Sequence, residues 1–233
     1  GIALAHTVPF LTAASALRLS QSQWDTGGWI AVGVGLLVGS LAALTLPKRY
    51  RISIAAPLVL GTMMAATGLM VKVGSLSQVG VSALLFALVI VLLQLAPWIA
   101  LAHIPVRILD ANTSEQIPAQ GITDQVTTSF VFVVSLRAGG ALAAVFLTVS
   151  MLSTAGLRSF SVPLALVVLG SVSLILQTRS IRARVEVLLS SLTGLTTILV
   201  GATLVTRADP ASLPWVTLSA IAAALVLVVT NVV

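Results

Sequence analysis

Cysteine is absent from the 233 residues, charged residues make up only 8%, and tyrosine occurs once. The missing cysteines exclude a disulfide-stapled scaffold and any thiolate metal centre, and they leave the redox compartment open. The shortage of charge excludes more. A soluble globular domain carries roughly 25% charged residues, so a surface this poor in them must have lipid as much of its solvent. Glycine shows no collagen-like period, and 58% hydrophobic residues with a mean hydropathy of +1.13 exclude disorder. What the chain has in plenty is long apolar runs. The fold class they imply is an all-α, polytopic transmembrane helix bundle.

A helix needs about 20 apolar residues to cross the hydrocarbon core. Eight segments qualify: Ile2–Leu19, Gly28–Leu46, Ile52–Val71, Val79–Ala102, Ser129–Ser153, Ser159–Leu176, Val187–Val205 and Leu213–Val233. They are continuously apolar rather than alternating, which argues against the strands of an outer-membrane barrel. Four spans (1–103) precede a polar stretch (104–128) expected to be a cytoplasmic loop, and four follow it (129–233). The mixed residues from Gly121 to Arg137 suggest that the fifth helix starts in the cytoplasm before it enters lipid. Pro97 alone lies deep enough in a span to kink it. The chain opens on Gly1 and ends within an apolar stretch at Val232-Val233, so it is expected to be a piece of a longer protein.

The net charge of +6 comes from twelve basic against six acidic residues. The basic residues fall in short groups between apolar runs, which is a topology signal and not a phosphate footprint; no nucleic-acid partner is expected. Lys48, Arg49, Arg51, Arg107, Arg179, Arg182 and Arg184 share one side, and Arg18, Lys72, Arg158 and Arg207 the other. The positive-inside rule places the richer side in the cytoplasm. Arg137 lies near the start of the fifth span, toward that side.

Reactive constellations are missing. The six acidic residues, Asp25, Asp110, Glu115, Asp124, Glu186 and Asp209, fall in loops or at span edges. Ion-coupled carriers keep such groups inside the bilayer, where binding and releasing the coupling ion takes place. His6 and His103 have no neighbouring ligands, so neither a metal site nor any cofactor is expected. No G-x-S-x-G turn, P-loop or dinucleotide fingerprint occurs.

Small residues recur at four-residue spacing inside spans: Gly35 with Gly39, Gly61 with Ala65, Gly139 with Ala143. They let helix backbones approach closely, either within one bundle or at a subunit interface. Gln94, one turn before Pro97, is placed to hydrogen-bond a neighbouring helix or to line a pore. Trp24, Trp29, Trp98 and Trp215 fall near span edges and fit an interfacial aromatic belt. Arg179, Arg182 and Arg184 with Glu186 form the densest charged group, suited to anionic head groups or to a cytoplasmic partner.

Two stretches are similar to the EccD-type membrane component of type VII (ESX) secretion systems. Leu95-Ala96-Pro97-Trp98-Ile99-Ala100-Leu101-Ala102-His103-Ile104-Pro105-Val106 resembles that family's span ending in a proline turn before a cytoplasmic loop. Leu176-Gln177-Thr178-Arg179-Ser180-Ile181-Arg182-Ala183-Arg184-Val185-Glu186-Val187-Leu188-Leu189, followed by Gly194, resembles its arginine-rich turn between two apolar helices. Between them, Arg137-Ala138-Gly139-Gly140 matches a basic residue leading into a small-residue helix. The resemblance covers roughly Val79 to Val205. It implies an eleven-span protein of which this piece holds about spans three to ten. It further implies a non-catalytic scaffold in the bacterial inner membrane, dimerising with a second copy of itself around a lipid-filled cavity. EccB-, EccC- and EccE-type subunits would be its partners, together with membrane lipids, the EccC-type ATPase supplying energy. Arg107, Arg137, Arg179, Arg182, Arg184 and Glu186 are then candidates for partner or lipid contacts. A small-molecule permease or secondary transporter is the alternative, motivated by the four-plus-four division. An intramembrane enzyme is a third reading, and no catalytic constellation supports it.

Overall fold

The computed structural model of the chain describes residues 2–20, 26–45, 54–103, 119–155, 161–177, 184–212 and 214. Among them are seven α-helices and no strand: α1 (Ile2–Leu19), α2 (Thr26–Ala43), α3 (Ala55–Lys72), α4 (Gln78–His103), α5 (Ala119–Thr154), α6 (Ser161–Gln177) and α7 (Arg184–Ala208). A 3₁₀ turn, Pro210–Ser212, follows α7. Five helices, α2, α3, α4, α5 and α7, are long and apolar enough to cross a membrane.

The expected count of about eight spans is therefore not matched. Helix α6 is apolar but seventeen residues long, somewhat short of the thickness a single helix must bridge. Helix α1 is not among the five; it mixes Thr7, Pro9, Thr12, Ser15 and Arg18 with its apolar residues. The eighth segment, Leu213–Val233, lies outside the described residues apart from Pro214. Helix α5 begins at Ala119, inside the stretch read as loop, and its apolar window opens only at Ser129. The mixed polarity of Gly121–Thr128 is that of a helix that has not yet reached apolar surroundings.

Local chemistry sets several of the ends. Pro57 and Pro163 sit in the first turns of α3 and α6, where the missing N–H would have had no helical partner. Ser77 precedes α4 and its Oγ accepts the Gly80 N–H at 3.3 Å, an N-terminal cap. Glu186 in the first turn of α7 and Arg207 in its last both complement the helix dipole. Beyond α7, Asp209 Oδ1 accepts the Ala211 N–H at 3.1 Å and turns the chain.

Helices α1, α2 and α3 pack side by side in chain order, and α3 also lies against α5. Helix α5 is the hub, touching α3, α4, α7 and, less extensively, α6; α6 in turn packs on α4 and α7. The main core is built where α4 and α5 meet, from Leu85, Phe86, Val89 and Leu93 against Ala143, Ala144, Leu147 and Met151, with Val167 and Leu174 of α6 completing it. A second cluster, Ala13, Trp29, Leu36 and Met64, ties α1 to α3 through α2. Trp29 is only 8% exposed and meets Phe146 edge-on, ring centroids 5.5 Å apart at 89°. That corrects its assignment to an interfacial belt. Its place near the start of α2 is at a span edge, but its ring turns inward. Trp98 is exposed; Trp24 and Trp215 lie outside the described residues.

Candidate functional site

Small residues decide how closely the helices approach. A Cβ on Gly35 would lie 2.6 Å from the Ala13 Cα and 2.8 Å from the Thr12 carbonyl oxygen, and one on Gly39 would meet the Pro9 Cα at 2.5 Å. Both glycines therefore face α1. In that groove the Thr12 hydroxyl reaches across to the Gly35 carbonyl at 2.7 Å. Gly33, on the other side of α2, faces the backbone of Gly61 and Ala65 in α3. A Cβ on Gly139 would sit 2.6 Å from the Ala56 carbonyl oxygen, at the start of α3. One turn earlier on α5, Ser135 Oγ accepts the Ala56 N–H at 3.2 Å and satisfies a first-turn donor of α3. Ala143, one turn later, is fully buried in the α4–α5 core. Ser135, Gly139 and Ala143 thus form one stripe of α5, the first two seating α3.

Most of the other helix contacts carry a polar link as well. Ser82 and Ser150 join α4 to α5 at 2.8 Å, and the Gln78 amide donates to the Ser150 carbonyl at 3.2 Å. Ser171 and Thr197 join α6 to α7 at 2.6 Å. The Gln94 amide donates to Ser173 Oγ, and the Gln177 amide returns to the Gln94 carbonyl at 3.2 Å, tying α4 to α6. Gln94 therefore bonds a neighbouring helix, and α4 continues unbroken through Pro97 to His103. Inside a bilayer a bare polar group has no water to turn to, so these hydroxyls and amides must pair across helices.

The charged site lies between α5 and α7. Arg137 is 3% exposed, and its Nη1 donates to Ser190 Oγ at 2.7 Å. The Glu186 carbonyl oxygen is 3.5 Å from the same Nη1, and Glu186 Oε2 is 3.5 Å from Nη2. The Glu186 side chain is 12% exposed. Arg137 stands about 12 Å along the apolar stretch of α5 that opens at Ser129, at 1.5 Å per residue. A cation at that depth needs a partner. Glu186 supplies the charge, and Ser190 the best-aligned hydrogen bond. Arg137 Nε has no hydrogen-bond partner among the described residues.

Of the charged residues singled out from the sequence, Arg137 and Glu186 are thus brought together. Arg184 opens α7, its side chain outside the description; Arg107, Arg179 and Arg182 lie outside the described residues, as do Lys48, Arg49, Arg51 and Arg158. Among the described residues no three of His, Cys, Asp and Glu gather as a metal site would require. The residues that sequence reading missed are the serines and threonines at the crossings: Ser82, Ser135, Ser150, Ser171, Ser190 and Thr197. Hydroxyls are plentiful in every span, and nothing in their spacing marks which of them meet.

No protein-family model and no curated protein matches this chain. Among solved structures, a chain of the "MycP5-free ESX-5 inner membrane complex, State II" is similar, with a TM-score of 0.64 and 20% sequence identity. The match covers 97% of this chain and 53% of that one, so this chain spans about half the length of the chain it matches. At that identity the likeness is one of fold: the two share a helical arrangement across nearly the whole of the present sequence.

Proposed function

We propose that the protein is a membrane subunit of a type VII secretion system, of the EccD type, acting as a scaffold in the bacterial inner membrane. The observation that carries the reading is the likeness of fold to a chain of an ESX inner membrane complex across 97% of this sequence. The motif order from Leu95 to Glu186 independently resembles EccD-type subunits. In this reading two copies enclose a lipid-filled cavity, beside subunits of the EccB, EccC and EccE types, and the EccC-type ATPase supplies the energy. Arg107, Arg179, Arg182 and Arg184 on the cytoplasmic side contact a partner or anionic head groups.

The way the polar groups are used supports a non-catalytic role. Ser82, Ser150, Ser171, Thr197, Gln94 and Arg137 all have helix-to-helix partners. A carrier would need a midplane binding site, commonly built from interrupted helices; the helices described here run without a break. Gentle detergent extraction followed by affinity capture of the tagged chain tests the proposal. The expected result is a large assembly containing a second copy and an ATPase subunit. A free monomer that catalyses saturable solute uptake in proteoliposomes would replace the scaffold with the carrier.

A further inference from the structure

The Arg137 side chain is enclosed between α5 and α7, yet much of its hydrogen-bonding capacity is unspent. A guanidinium carries N–H donors on all three nitrogens, fixed in a planar fork. Nη1 donates to Ser190 Oγ at 2.7 Å and, more weakly, to the Glu186 carbonyl oxygen at 3.5 Å. Nε and Nη2 have no hydrogen-bond partner among the described residues. Glu186 Oε2 stands 3.5 Å from Nη2, beyond the roughly 2.7–2.9 Å of a charge-assisted hydrogen bond. Charge attraction therefore holds the pair together, and the Nε–Nη2 edge of a buried guanidinium is left over.

Buried donors are nearly always satisfied, and at this depth lipid offers them no acceptor. Chemistry narrows what can answer these. A side chain of another subunit or a lipid phosphate needs an opening that a residue only 3% exposed does not give. A cation is repelled by the guanidinium. An anion meets the Glu186 carboxylate, whose charge already balances that of Arg137. What fits is a small neutral group that accepts and donates at once. One oxygen atom can take both N–H groups of the edge in the plane of the fork and return a proton to the carboxylate. Water does this, and the three contacts are what a buried water ordinarily makes. The place is also polar on more than one side: Gly140 lies against Leu93, so Gln94 and the Gln177 amide bonded to its carbonyl stand within about a turn of Arg137 along the bundle. Glu186, in the first turn of α7 with its side chain 12% exposed, gives water a way in and out.

We propose that the Nε–Nη2 edge of Arg137 binds an ordered water, which accepts from both nitrogens and donates to the Glu186 carboxylate. The link between α5 and α7 is then a water-completed ion pair, with Ser190 as its one short direct hydrogen bond. The site rests on the geometry between these two helices, not on a role in secretion. Its failure would leave the secretion reading intact.

Radiolytic hydroxyl labelling of the whole chain in lipid nanodiscs, read by mass spectrometry, provides the test, because the radical forms from water at the site itself. Arg137 should be oxidised in spite of its burial. Met151, fully buried and the more reactive group, should stay unmodified. A density map of the same sample that resolves waters should show one within hydrogen-bond reach of both Arg137 Nε and the Glu186 carboxylate. An unlabelled Arg137 would overturn the proposal, as would a map in which Nε donates directly to a protein acceptor. Exchange of chloride for gluconate at constant ionic strength should leave the thermal midpoint unchanged; a fall would assign the place to a halide and overturn the proposal too.

Discussion

Arg137 is the one charged residue wholly buried among the described residues, and its surroundings say what it is for. Removing one member of a buried ion pair strands the other, at a cost of about 3–5 kcal/mol, whereas replacing both by apolar residues of similar volume is often neutral. Arg137→Ala and Glu186→Gln should each lower unfolding stability in detergent by about 3 kcal/mol, and Arg137→Met with Glu186→Leu should recover most of the loss. Ser190→Ala should cost about 1–2 kcal/mol, because Arg137 Nη1 then loses its best acceptor. Additive losses in the double variant would show that the two charges do not interact. Both residues were visible in the sequence as charges at span edges. Their pairing was not, since 49 positions separate them and nothing local relates one to the other. Trp29 shows the same limit: position along a helix was legible, but the direction its ring faces was set by packing on Phe146.

The helices themselves were the most legible feature, because a run of twenty apolar residues has few other uses. The small-residue pairs were legible as close-approach positions, though not as to which helix each one meets. Two faces of α2 are used, Gly33 toward α3 and Gly35 with Gly39 toward α1, and a linear pattern cannot separate them. Helix α5 begins at Ala119, two residues ahead of the mixed stretch from Gly121 that suggested a helix start before the membrane; residues 119–128 are too polar for a membrane span, but a helix needs no apolar surroundings to form. Glycine substitutions test the contacts. Gly139→Ala puts a methyl 2.6 Å from the Ala56 carbonyl oxygen and should cost about 1–3 kcal/mol as α3 is forced away from α5. Gly201→Ala meets only ordinary contacts at 3.5 Å and should instead stabilise α7 by up to about 1 kcal/mol, the helix preference of alanine over glycine. Thermal unfolding of the two variants beside the native chain checks both signs. A neutral Gly139→Ala would mean that α3 is not seated on that stripe.

Over the whole molecule, a hub helix with neighbours on several sides, pinned by hydroxyl, amide and ion-pair links, is a plan for holding shape. Its outer faces are apolar, as on α7, where Leu188, Leu192, Leu195 and Leu199 are all exposed along one side. If the chain is the secretion scaffold proposed above, its interior polar groups serve packing alone, and their effects on export and on assembly are inseparable. Ser82→Ala, Gln94→Leu, Ser171→Ala and the Arg137→Met/Glu186→Leu pair should be placed in the native host, and each scored for the amount of large membrane complex formed and the amount of protein exported. Export falling only in proportion to assembly is the predicted result. A variant that assembles at the native level yet exports nothing would contradict it, since the altered group would then be taking part in transport itself.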